Sequence, residues 1–377
     1  MIYLDNAATS FPKPACVGQA MVEALRVFGG NPGRGGHRMT LAASEMVYRT
    51  RERAAAFFGL PNASRVVFTS NCTASLNIAL KSVTADGGRV IVSDMEHNSV
   101  MRPLYAASGR YPLFDVARVG ESDEETVANF RRCIGRSTVA IACLHASNVF
   151  GNVLPAAAIG RLAREYGLIF ILDVAQTAGI LPINMQEMHV DLLCAPGHKG
   201  LCGPPGTGLL LCGERYTPRP LTQGGSGSSS LSPQMPDELP ERLECGSLNT
   251  AGICGLGAAL NWAAHRDMEA SCRGELREMG RLYDRLRENA ACRLYTPRPE
   301  YGRAVPLLSF NLGERASEET AALLDRAGIA VRAGLHCAPA AHRHFGTLPG
   351  GTVRVAPSPF TRPEELQKLS QIVNKIS

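Results

Sequence analysis

The residue with the clearest chemical potential is Lys199, in the segment CAPGHKGLCGPPGTG at residues 194–208. This segment follows a short apolar run at residues 190–194 and places His198 beside the lysine. A lysine at a strand end forms a Schiff base with an aldehyde if its amine is reachable and partly neutral at the working pH. Taken alone, Lys199 is better explained as a surface lysine in a glycine-rich turn, so its interpretation depends on its surroundings.

The second reactive feature is Asp173, which ends an apolar run over residues 168–173 and lies upstream of Lys199. A carboxylate at the end of a buried strand can hold a protonated pyridine nitrogen. An aspartate followed by a lysine in this arrangement is what a pyridoxal phosphate enzyme needs. The pair therefore predicts pyridoxal 5'-phosphate as cofactor and favours the functional interpretation of Lys199.

The elements that must position these residues alternate strand and helix patterns at close spacing. Continuous apolar runs between helical segments predict a mainly parallel sheet covered on both faces, and thus an α/β fold. We predict strands over residues 65–69, 89–93, 138–144 and 168–173, and helices over residues 74–82, 124–134 and 156–166. Ligands bind at the carboxyl ends of such strands, where these polar residues fall: Asn71, His97, Asn148, Asp173 and Lys199.

Towards the C terminus the pattern becomes that of a smaller α+β unit. Residues 250–291 predict a long helical stretch broken near Asp267, and the glycine- and serine-rich residues 223–232 predict a mobile loop over the site. A strand over 305–311, a helix over 318–326, strands near Ile329 and Val353 and a helix from Pro363 follow. We predict an N-terminal arm over residues 1–15 across the active site, a large domain over 16–255 and a small domain over 256–377.

Composition excludes several classes of protein. The chain has 377 residues, 45% of them hydrophobic and 19% charged, with a net charge of +5 and no basic tract typical of a nucleic-acid face. No apolar run reaches membrane-spanning length, and the N terminus lacks the features of a signal peptide. Twelve cysteines without a Cys-x-x-Cys pair indicate reduced thiols. We therefore expect a cytoplasmic protein without a nucleic-acid or membrane partner.

Together, these motifs resemble those of the cysteine desulfurase and selenocysteine lyase group of the class V aminotransferase family, which are pyridoxal phosphate enzymes of fold type I. The resemblance runs from YLDNAAT at residues 3–9 to Arg354, and the motifs follow the family's order. It implies a large, mainly parallel domain, a smaller C-terminal domain that carries an acceptor cysteine, and a homodimer.

The cofactor phosphate is expected at the start of the helix that follows the strand at residues 65–69. Backbone amides at a helix start bind anions, and the Thr73 hydroxyl adds a donor, although a plain helix cap is the alternative. The resemblance implies these phosphate contacts: Asn71, Cys72, Thr73, His198 and, from a neighbouring subunit, Ser247. The family usually has glycine and threonine where this chain has Asn71 and Cys72, and serine or threonine where it has Pro196.

The resemblance also implies contacts to the cofactor ring. His97, in DMEHNS at residues 94–99, matches a histidine that stacks on the pyridine ring and relays protons; a polar loop histidine is the alternative. Gln176 matches a residue that hydrogen-bonds the phenolic oxygen of the cofactor. Asn148, in HASNVFG at residues 145–151, matches a residue near that oxygen and near the substrate carboxylate.

Two arginines and a histidine are expected at the substrate. Arg354, in GTVRV at residues 351–355, matches an arginine that pairs with the substrate carboxylate, to which its planar fork is suited. An exposed strand arginine is the alternative. Arg332 is expected near the substrate as well, and His37 matches a segment that lines the substrate pocket.

The reactive thiol is assigned to Cys337, in RAGLHCAP at residues 332–339. We expect it on a short loop between two strand-like segments, where Arg332 and His336 would favour the thiolate. The other cysteines fit small apolar positions. The family often has a second histidine at the position of Leu335. Three histidines near Cys337 fit no common zinc spacing, so no metal is expected.

The resemblance implies a cysteine desulfurase that converts L-cysteine to L-alanine with a persulfide on Cys337, and selenocysteine lyase activity in addition. A sulfur-acceptor protein is an expected partner. The alternatives are another class V reaction, such as C–S β-elimination, transamination or epimerisation, and a non-catalytic sulfur-carrier homologue. Retention of the following residues argues against the last: Lys199, Asp173, His97, Gln176 and Arg354.

Overall fold

The computed structural model describes residues 1–33 and 35–377, which form helices, strands and the loops between them. In chain order the strands are β1 (Ile2–Tyr3), β2 (Val66–Thr69), β3 (Arg89–Ser93), β4 (Phe114–Ala117), β5 (Thr138–Leu144), β6 (Ile169–Asp173), β7 (Leu192–Pro196), β8 (Gly208–Cys212), β9 (Cys292–Leu294), β10 (Leu308–Leu312), β11 (Ile329–Ala330) and β12 (Val353–Val355). The helices are α1 (Ala15–Val27), α2 (Arg38–Phe57), α3 (Cys72–Val83), α4 (Asn98–Ala107), α5 (Asp123–Arg132), α6 (Ala156–Glu165), α7 (Thr250–Ala264), α8 (Met268–Arg287), α9 (Ser317–Arg326), α10 (Pro339–His344) and α11 (Pro363–Ile376).

A seven-stranded sheet in the order β2-β8-β7-β6-β5-β3-β4 forms the frame of the larger part. β4, β3, β5, β6 and β7 pair in parallel, while β8 runs antiparallel to both its neighbours. Alternate residues of β6 pack into different cores, Phe170 and Leu172 on one face and Ile171 on the other. Both faces are therefore buried, which confirms the predicted α/β class and explains the continuous apolar runs.

The predicted strands at residues 89–93 and 138–144 coincide with β3 and β5, and the predicted helix break near Asp267 is confirmed, since Asp267 caps α8. The sequence did not reveal β8, because its run Gly208 to Cys212 is short and follows a turn rich in glycine and proline. β8 separates β2 from the parallel strands.

A three-stranded antiparallel sheet, β12-β10-β9, packs with α8, α9 and α11 around a separate apolar core. Leu4 of the N-terminal arm lies in this core, and β1 pairs in parallel with β11. The Ser10 N–H then donates to the His198 carbonyl oxygen at 3.0 Å. The arm therefore runs from the smaller part of the molecule to the segment that carries Lys199.

The surroundings of the Cys337 loop and the helix α7 bear on two predictions made from the sequence. The loop of Cys337 was expected between two strand-like segments, but the structure has β11 before it and the helix α10 after it, because Pro339 begins that helix. The predicted domain boundary at residue 256 falls inside α7, which packs along α1 and α2. In the part of the chain that the structure describes, no helix is long and apolar enough to cross a membrane.

Candidate active site

A cavity lies where the parallel strands end, at the edge predicted to bind a ligand. All the predicted cofactor-binding residues except Ser247 line it. The complete lining is Asn71, Cys72, Thr73, Leu76, His97, Ser99, Leu144, Ala146, Asn148, Asp173, Ala175, Gln176, Pro196, His198 and Lys199. Residues from the segments that follow five different strands thus meet at one place, which a turn lysine without function would not require.

Lys199 borders the cavity on the turn after β7. Burial lowers the pKa of its amine, the Arg354 charge lowers it further, and Asp173 opposes this effect. The preceding carbonyl, that of His198, accepts from the Ser10 N–H at 3.0 Å and from Lys13 Nζ at 2.8 Å. The backbone beside Lys199 is therefore fixed by the N-terminal arm, and its amine is biased towards the neutral, nucleophilic form.

The turn that carries Lys199 is closed on itself. The Gly203 N–H donates to the Gly197 carbonyl at 2.7 Å. A Cβ at position 197 would lie 2.1 Å from Thr207 Oγ1, so only glycine fits there. This explains the glycine-rich sequence around the lysine by close packing of the turn rather than by mobility.

Asp173 is the last residue of β6, and one of its carboxylate oxygens is hydrogen-bonded within the protein. Its Oδ1 accepts from the Ala175 N–H at 2.8 Å and from the Cys72 thiol at 3.5 Å. Oδ2 accepts no hydrogen bond from residues 1–33 and 35–377, and the side chain borders the cavity. Burial raises the pKa of Asp173, whereas a cationic group at the cavity oxygen would oppose that rise. The carboxylate is thus arranged to receive one cationic donor from the cavity.

The start of α3 offers donors to an anion. Asn71 Oδ1 caps the helix by accepting from the Ala74 N–H at 2.9 Å, while within the described residues the N–H groups of Cys72 and Thr73 form no hydrogen bond. Thr73 Oγ1 hydrogen-bonds with Ser99 Oγ at 2.8 Å. A helix start with free N–H groups and hydroxyls binds phosphate.

Ser99 was missed by the sequence analysis, although it lies in the same segment as His97. Its N–H donates to His97 Nδ1 at 3.0 Å, and its hydroxyl reaches Thr73. Burial lowers the pKa of His97, and the charges of Lys199 and Arg332 act in the same direction, so that together they bring it to about 4. His97 is therefore neutral at physiological pH, and because Nδ1 accepts from Ser99, its proton lies on Nε2.

The loop of Cys337 is tied to the cavity at two points. The Asn98 N–H donates to the Cys337 carbonyl at 2.7 Å, and Asn148 Nδ2 donates to the His336 carbonyl at 2.7 Å. Cys337 is exposed, unlike the other eleven cysteines, and it has a left-handed backbone with φ 58°. The loop thus holds an accessible thiol next to residues that flank the cavity.

One expectation about this thiol is wrong. His336 was expected to favour the thiolate as a positive neighbour, but it is buried and lies beneath the loop. Burial lowers the pKa of His336, and the Arg354 charge acts in the same direction, so that together they bring it to about 3 and the ring is neutral. Arg332 remains as the positive charge nearby in sequence. The sequence could not show this, because the orientation of His336 is set by its contact with the Thr352 carbonyl at 3.0 Å.

The three histidines near Cys337 have separate partners. His336 Nε2 hydrogen-bonds with the Thr352 carbonyl, His342 Nδ1 with Thr347 Oγ1 at 2.7 Å, and His344 Nδ1 with Asp94 Oδ2 at 2.7 Å. Among residues 1–33 and 35–377, no three of the side chains of His, Cys, Asp or Glu converge as metal ligands.

Arg354 is fully buried rather than exposed on a strand, so the plain alternative for it is wrong. Its Nη2 donates to Asp5 Oδ1 at 2.7 Å and its Nη1 to the Asn148 carbonyl at 2.8 Å, while its buried Nε has no partner in the described chain. Burial lowers the pKa of Arg354, which Asp5 opposes. Arg332 pairs with Arg354 through the backbone and is half-buried. The Arg354 guanidinium is therefore fixed and has an unused donor, although Arg354, Arg332 and Cys337 are not among the residues that line the cavity.

Two predicted residues lie elsewhere in this chain. His37 caps α2, with Nδ1 accepting from the Thr40 N–H at 3.4 Å, and it is exposed. Ser247 is exposed as well, and its hydroxyl accepts from Asn31 Nδ2 at 3.3 Å. Neither side chain lines the cavity of its own subunit.

Glu96, next to His97, gives a prediction about stability. It is fully buried, Oε1 accepts from Ser93 Oγ at 2.5 Å and from the Leu144 N–H at 3.1 Å, and burial raises its pKa to about 8. The unfolded chain releases this proton near pH 4.5, whereas the folded chain keeps it until about pH 8. Stability must therefore fall as pH rises through this window, by at most about 1.4 kcal/mol per pH unit.

We expect Glu96→Gln, which keeps an acceptor and cannot ionise, to remove this loss. The difference in the free energy of unfolding between variant and wild type should grow by ~2 kcal/mol or more from pH 5 to pH 8. Urea denaturation at four pH values measures it. Glu52→Gln, at an exposed position of α2, is the control and should change nothing. Parallel pH profiles for Glu96→Gln and wild type would contradict the prediction.

Comparison with known proteins agrees with this geometry. The profile of the family Aminotransferase class-V matches residues 2–369. A protein named "Probable cysteine desulfurase" from Methanothermobacter thermautotrophicus is 30% identical over 384 residues, covering 100% of this chain and 94% of its own. One with the same name from Synechocystis sp. is 28% identical, covering 98% of this chain and 90% of its own.

Among solved structures, an apo cysteine desulfurase from Thermococcus onnurineus NA1 has a TM-score of 0.89 and 28% identity, covering 100% of this chain and 94% of its own. This likeness confirms the predicted fold type I architecture. Since the family profile and these relatives match the chain almost from end to end, the chain belongs to the class-V aminotransferase family.

Proposed function

We propose that this protein is a pyridoxal phosphate-dependent cysteine desulfurase, which converts L-cysteine to L-alanine and leaves a persulfide on Cys337. The observation that carries the proposal is the accessible thiol of Cys337, on a loop whose backbone carbonyls are bound by Asn98 and Asn148, next to a cavity bordered by Lys199 and Asp173. The names of the relatives point to the same activity.

The residues of the cavity fit pyridoxal phosphate. Two buried polar atoms that border the cavity, His198 Nδ1 and Asn148 Oδ1, have no partner within the described residues, as expected of groups that await a ligand. The free N–H groups at the start of α3 suit the phosphate, and Asp173 Oδ2 suits the ring nitrogen. When bound, the cofactor supplies an aldehyde that reacts with amines and a ring that withdraws electrons from the substrate α-carbon.

Three side chains then have separate roles. Lys199 would hold the cofactor through its amine and, with the substrate bound, would move the α-proton, for which its lowered pKa is suited. Asp173 keeps a proton on the ring nitrogen. His97, neutral and held by Ser99, would offer its Nε2–H to the bound cofactor.

The substrate carboxylate is bound by arginine. Arg354 has an unused Nε–H donor, and its guanidinium is held in place by Asp5 and by the Asn148 carbonyl. Arg332, half-buried on the neighbouring segment, adds a second positive charge. A fixed guanidinium orients the substrate with less loss of conformational entropy than a mobile one.

Cys337 is the nucleophile for the substrate sulfur. A bond forms between the two sulfur atoms as the carbon–sulfur bond of the substrate breaks. The electron pair stays with carbon, which takes up a proton, so the products are L-alanine and a persulfide on Cys337. L-selenocysteine is a second expected substrate, since its carbon–selenium bond breaks more readily. A sulfur-acceptor protein would then remove the persulfide.

The test is product analysis of the wild-type protein incubated with pyridoxal phosphate, L-cysteine and a reductant. Equal amounts of alanine and sulfide are expected, with one added sulfur on Cys337 by mass spectrometry before reductant is added. Pyruvate and ammonia would instead indicate β-elimination. The absence of any product would contradict an enzymatic function and favour a sulfur carrier.

Pro196 provides a prediction about cofactor affinity. It is the last residue of β7 and borders the cavity where the family usually has a hydroxyl. Because it is a proline, it also has no backbone N–H to donate. Pro196→Ser should therefore tighten pyridoxal phosphate binding by about 1.5–3 kcal/mol, the usual contribution of a hydrogen bond to a charged group. Titration of the visible absorbance measures this. An unchanged affinity would mean that the remaining donors already satisfy the phosphate.

The proposed enzyme is a cytoplasmic homodimer. Ser247 lies outside the cavity of its own chain, and the predicted loop from residue 223 is exposed, so we expect both to complete the site of a second subunit in a homodimer. Light scattering at working concentration tests this, and a fully active monomer would refute it. All twelve cysteines are unpaired, which suits the reducing cytoplasm.

A further inference from the structure

The buried ion pair between Arg51 and Glu244 has no part in the roles described above. Arg51 Nη1 and Nη2 donate to the two oxygens of Glu244 at 2.7 and 2.5 Å, and both side chains are more than nine-tenths buried. Glu244 Oε1 also accepts from the Phe68 N–H at 2.6 Å. Arg51 Nη1 donates in addition to the Val66 carbonyl at 2.5 Å, and its guanidinium lies 4.5 Å from the centre of the Phe68 ring.

This pair joins three segments that are distant in sequence. Arg51 lies on α2, Phe68 on β2, and Glu244 on the segment that leads into α7. β2 continues directly into the turn of Asn71 and the start of α3, where the cofactor phosphate is expected. The carboxylate of Glu244 therefore fixes β2, the strand that leads into the expected phosphate-binding turn.

Glu244 also fixes the base of the segment that carries Ser247. The Gly246 N–H donates to the Gly225 carbonyl at 2.8 Å, and the Cys245 thiol donates to Thr222 Oγ1 at 3.4 Å, so residues 222–225 and 244–246 lie side by side. The residues between them are largely exposed. Glu244 is thus the buried anchor of this exposed loop, three positions from a residue expected at the phosphate of the second subunit.

The cost of this arrangement indicates a purpose other than stability. Burying two charges is expensive, and apolar side chains of similar size fill such positions at least as well. What the pair provides is a fixed direction, because the planar guanidinium and the carboxylate meet through two parallel hydrogen bonds. Phosphate recognition needs this precision, since donors must lie within hydrogen-bond distance of three oxygens.

We propose that Glu244 and Arg51 are positioning residues for the phosphate-binding end of the site, which they hold through β2 in their own chain and through the segment of Ser247. This inference rests on the proposed function, because it requires pyridoxal phosphate as the ligand. It assigns to the pair an effect on the phosphate group and none on the aldehyde or the ring.

Pyridoxal, which lacks the phosphate, allows this to be tested by binding alone. Lys199 and Asp173 meet the same aldehyde and ring in both compounds, so the ratio of the two dissociation constants reports on the phosphate end. In Glu244→Gln, which keeps the size of the side chain but removes its charge, pyridoxal phosphate should bind about tenfold or more weakly, with pyridoxal little changed. Visible absorbance titration of both compounds gives the ratio.

Asp191 offers a matched control. It is a buried carboxylate that accepts from the Phe170 N–H of β6 at 2.9 Å and from Arg215 Nη1 at 3.2 Å, at the sheet edge opposite the cavity. Asp191→Asn therefore removes the same kind of pair from the same sheet. Its ratio of dissociation constants should equal that of the wild type, even if the protein is less stable.

A second variant guards against misfolding of the first. Arg51→Lys keeps the positive charge but loses the paired hydrogen bonds, and it should lower the preference for pyridoxal phosphate in the same direction. The inference is overturned if either soluble variant keeps the wild-type ratio, or if both compounds weaken by the same factor. A wild type that binds neither compound would contradict the proposed function instead, so the two failures are distinguishable.

Discussion

Lys199→Ala is expected to leave a protein that binds pyridoxal phosphate without a covalent bond and turns over cysteine about 10³-fold or more slowly. The alanine side chain removes the amine that holds the aldehyde carbon and moves the α-proton. The phosphate donors at α3 and the carboxylate of Asp173 remain, so binding itself should survive in part. The visible spectrum, and alanine formation measured at saturating cofactor, check the two effects separately.

The lysine that binds the cofactor covalently can be identified without ambiguity, because the chain has only five lysines: Lys13, Lys81, Lys199, Lys368 and Lys375. After reduction with borohydride, the added mass should lie on the peptide of Lys199. Lys13→Gln is the matched control, since burial also lowers the pKa of Lys13, to about 8, and its Nζ contacts the His198 carbonyl. Mass on Lys13 in the wild type, or covalent attachment that persists in Lys199→Ala, would show that the assignment is wrong.

Periodicity along the chain predicted the central sheet because parallel strands buried on both faces leave continuous apolar runs. It thereby also placed most of the site, since residues that directly follow such strands must meet at one edge. Asp173 follows β6 and Lys199 follows β7, and the two strands are neighbours in the sheet. For these residues, position in the sequence was almost equivalent to position in space.

Sequence patterns could not predict the long-range contacts that set the orientation and burial of the site residues. Asp5 and Arg354 are separated by almost the whole chain, and they meet because β1 pairs with β11 and Asp5 then bridges to Ala356. His336 and Cys337 are adjacent, yet one is buried and the other exposed, because both have left-handed backbone angles. Such features depend on tertiary packing, which local residue types do not determine.

Asp5 and Glu244 are two carboxylates that act on the site indirectly, through an arginine. Each is a carboxylate that contacts an arginine of a functional segment, yet neither touches the cavity. A positive charge held in a low-dielectric environment needs a counter-charge, and the direction of that counter-charge fixes the guanidinium. Asp5 of the N-terminal arm and Glu244 of the segment before α7 therefore contribute to the site through the arginines that they orient.

Cys337→Ser is expected to abolish sulfur transfer while it leaves the cofactor chemistry intact. A hydroxyl cannot carry a persulfide, so alanine and sulfide formation from L-cysteine should fall by about 10³-fold or more. The visible spectrum and its change on addition of L-cysteine should match those of the wild type, because Lys199 and Asp173 are unaffected. L-selenocysteine should be affected less, since selenium leaves without an acceptor thiol more readily than sulfur does.

The control for this variant is Cys133→Ser, at a partly buried cysteine that is remote from the cavity and contacts the Val116 carbonyl. It should retain wild-type turnover, and mass spectrometry of wild type treated with L-cysteine should place the added sulfur on Cys337 alone. Sulfide release from Cys337→Ser at the wild-type rate would contradict attack by this thiol, because no other cysteine of the chain is exposed to take its place. The reaction would then have to break the carbon–sulfur bond by elimination, and pyruvate in place of alanine would identify it.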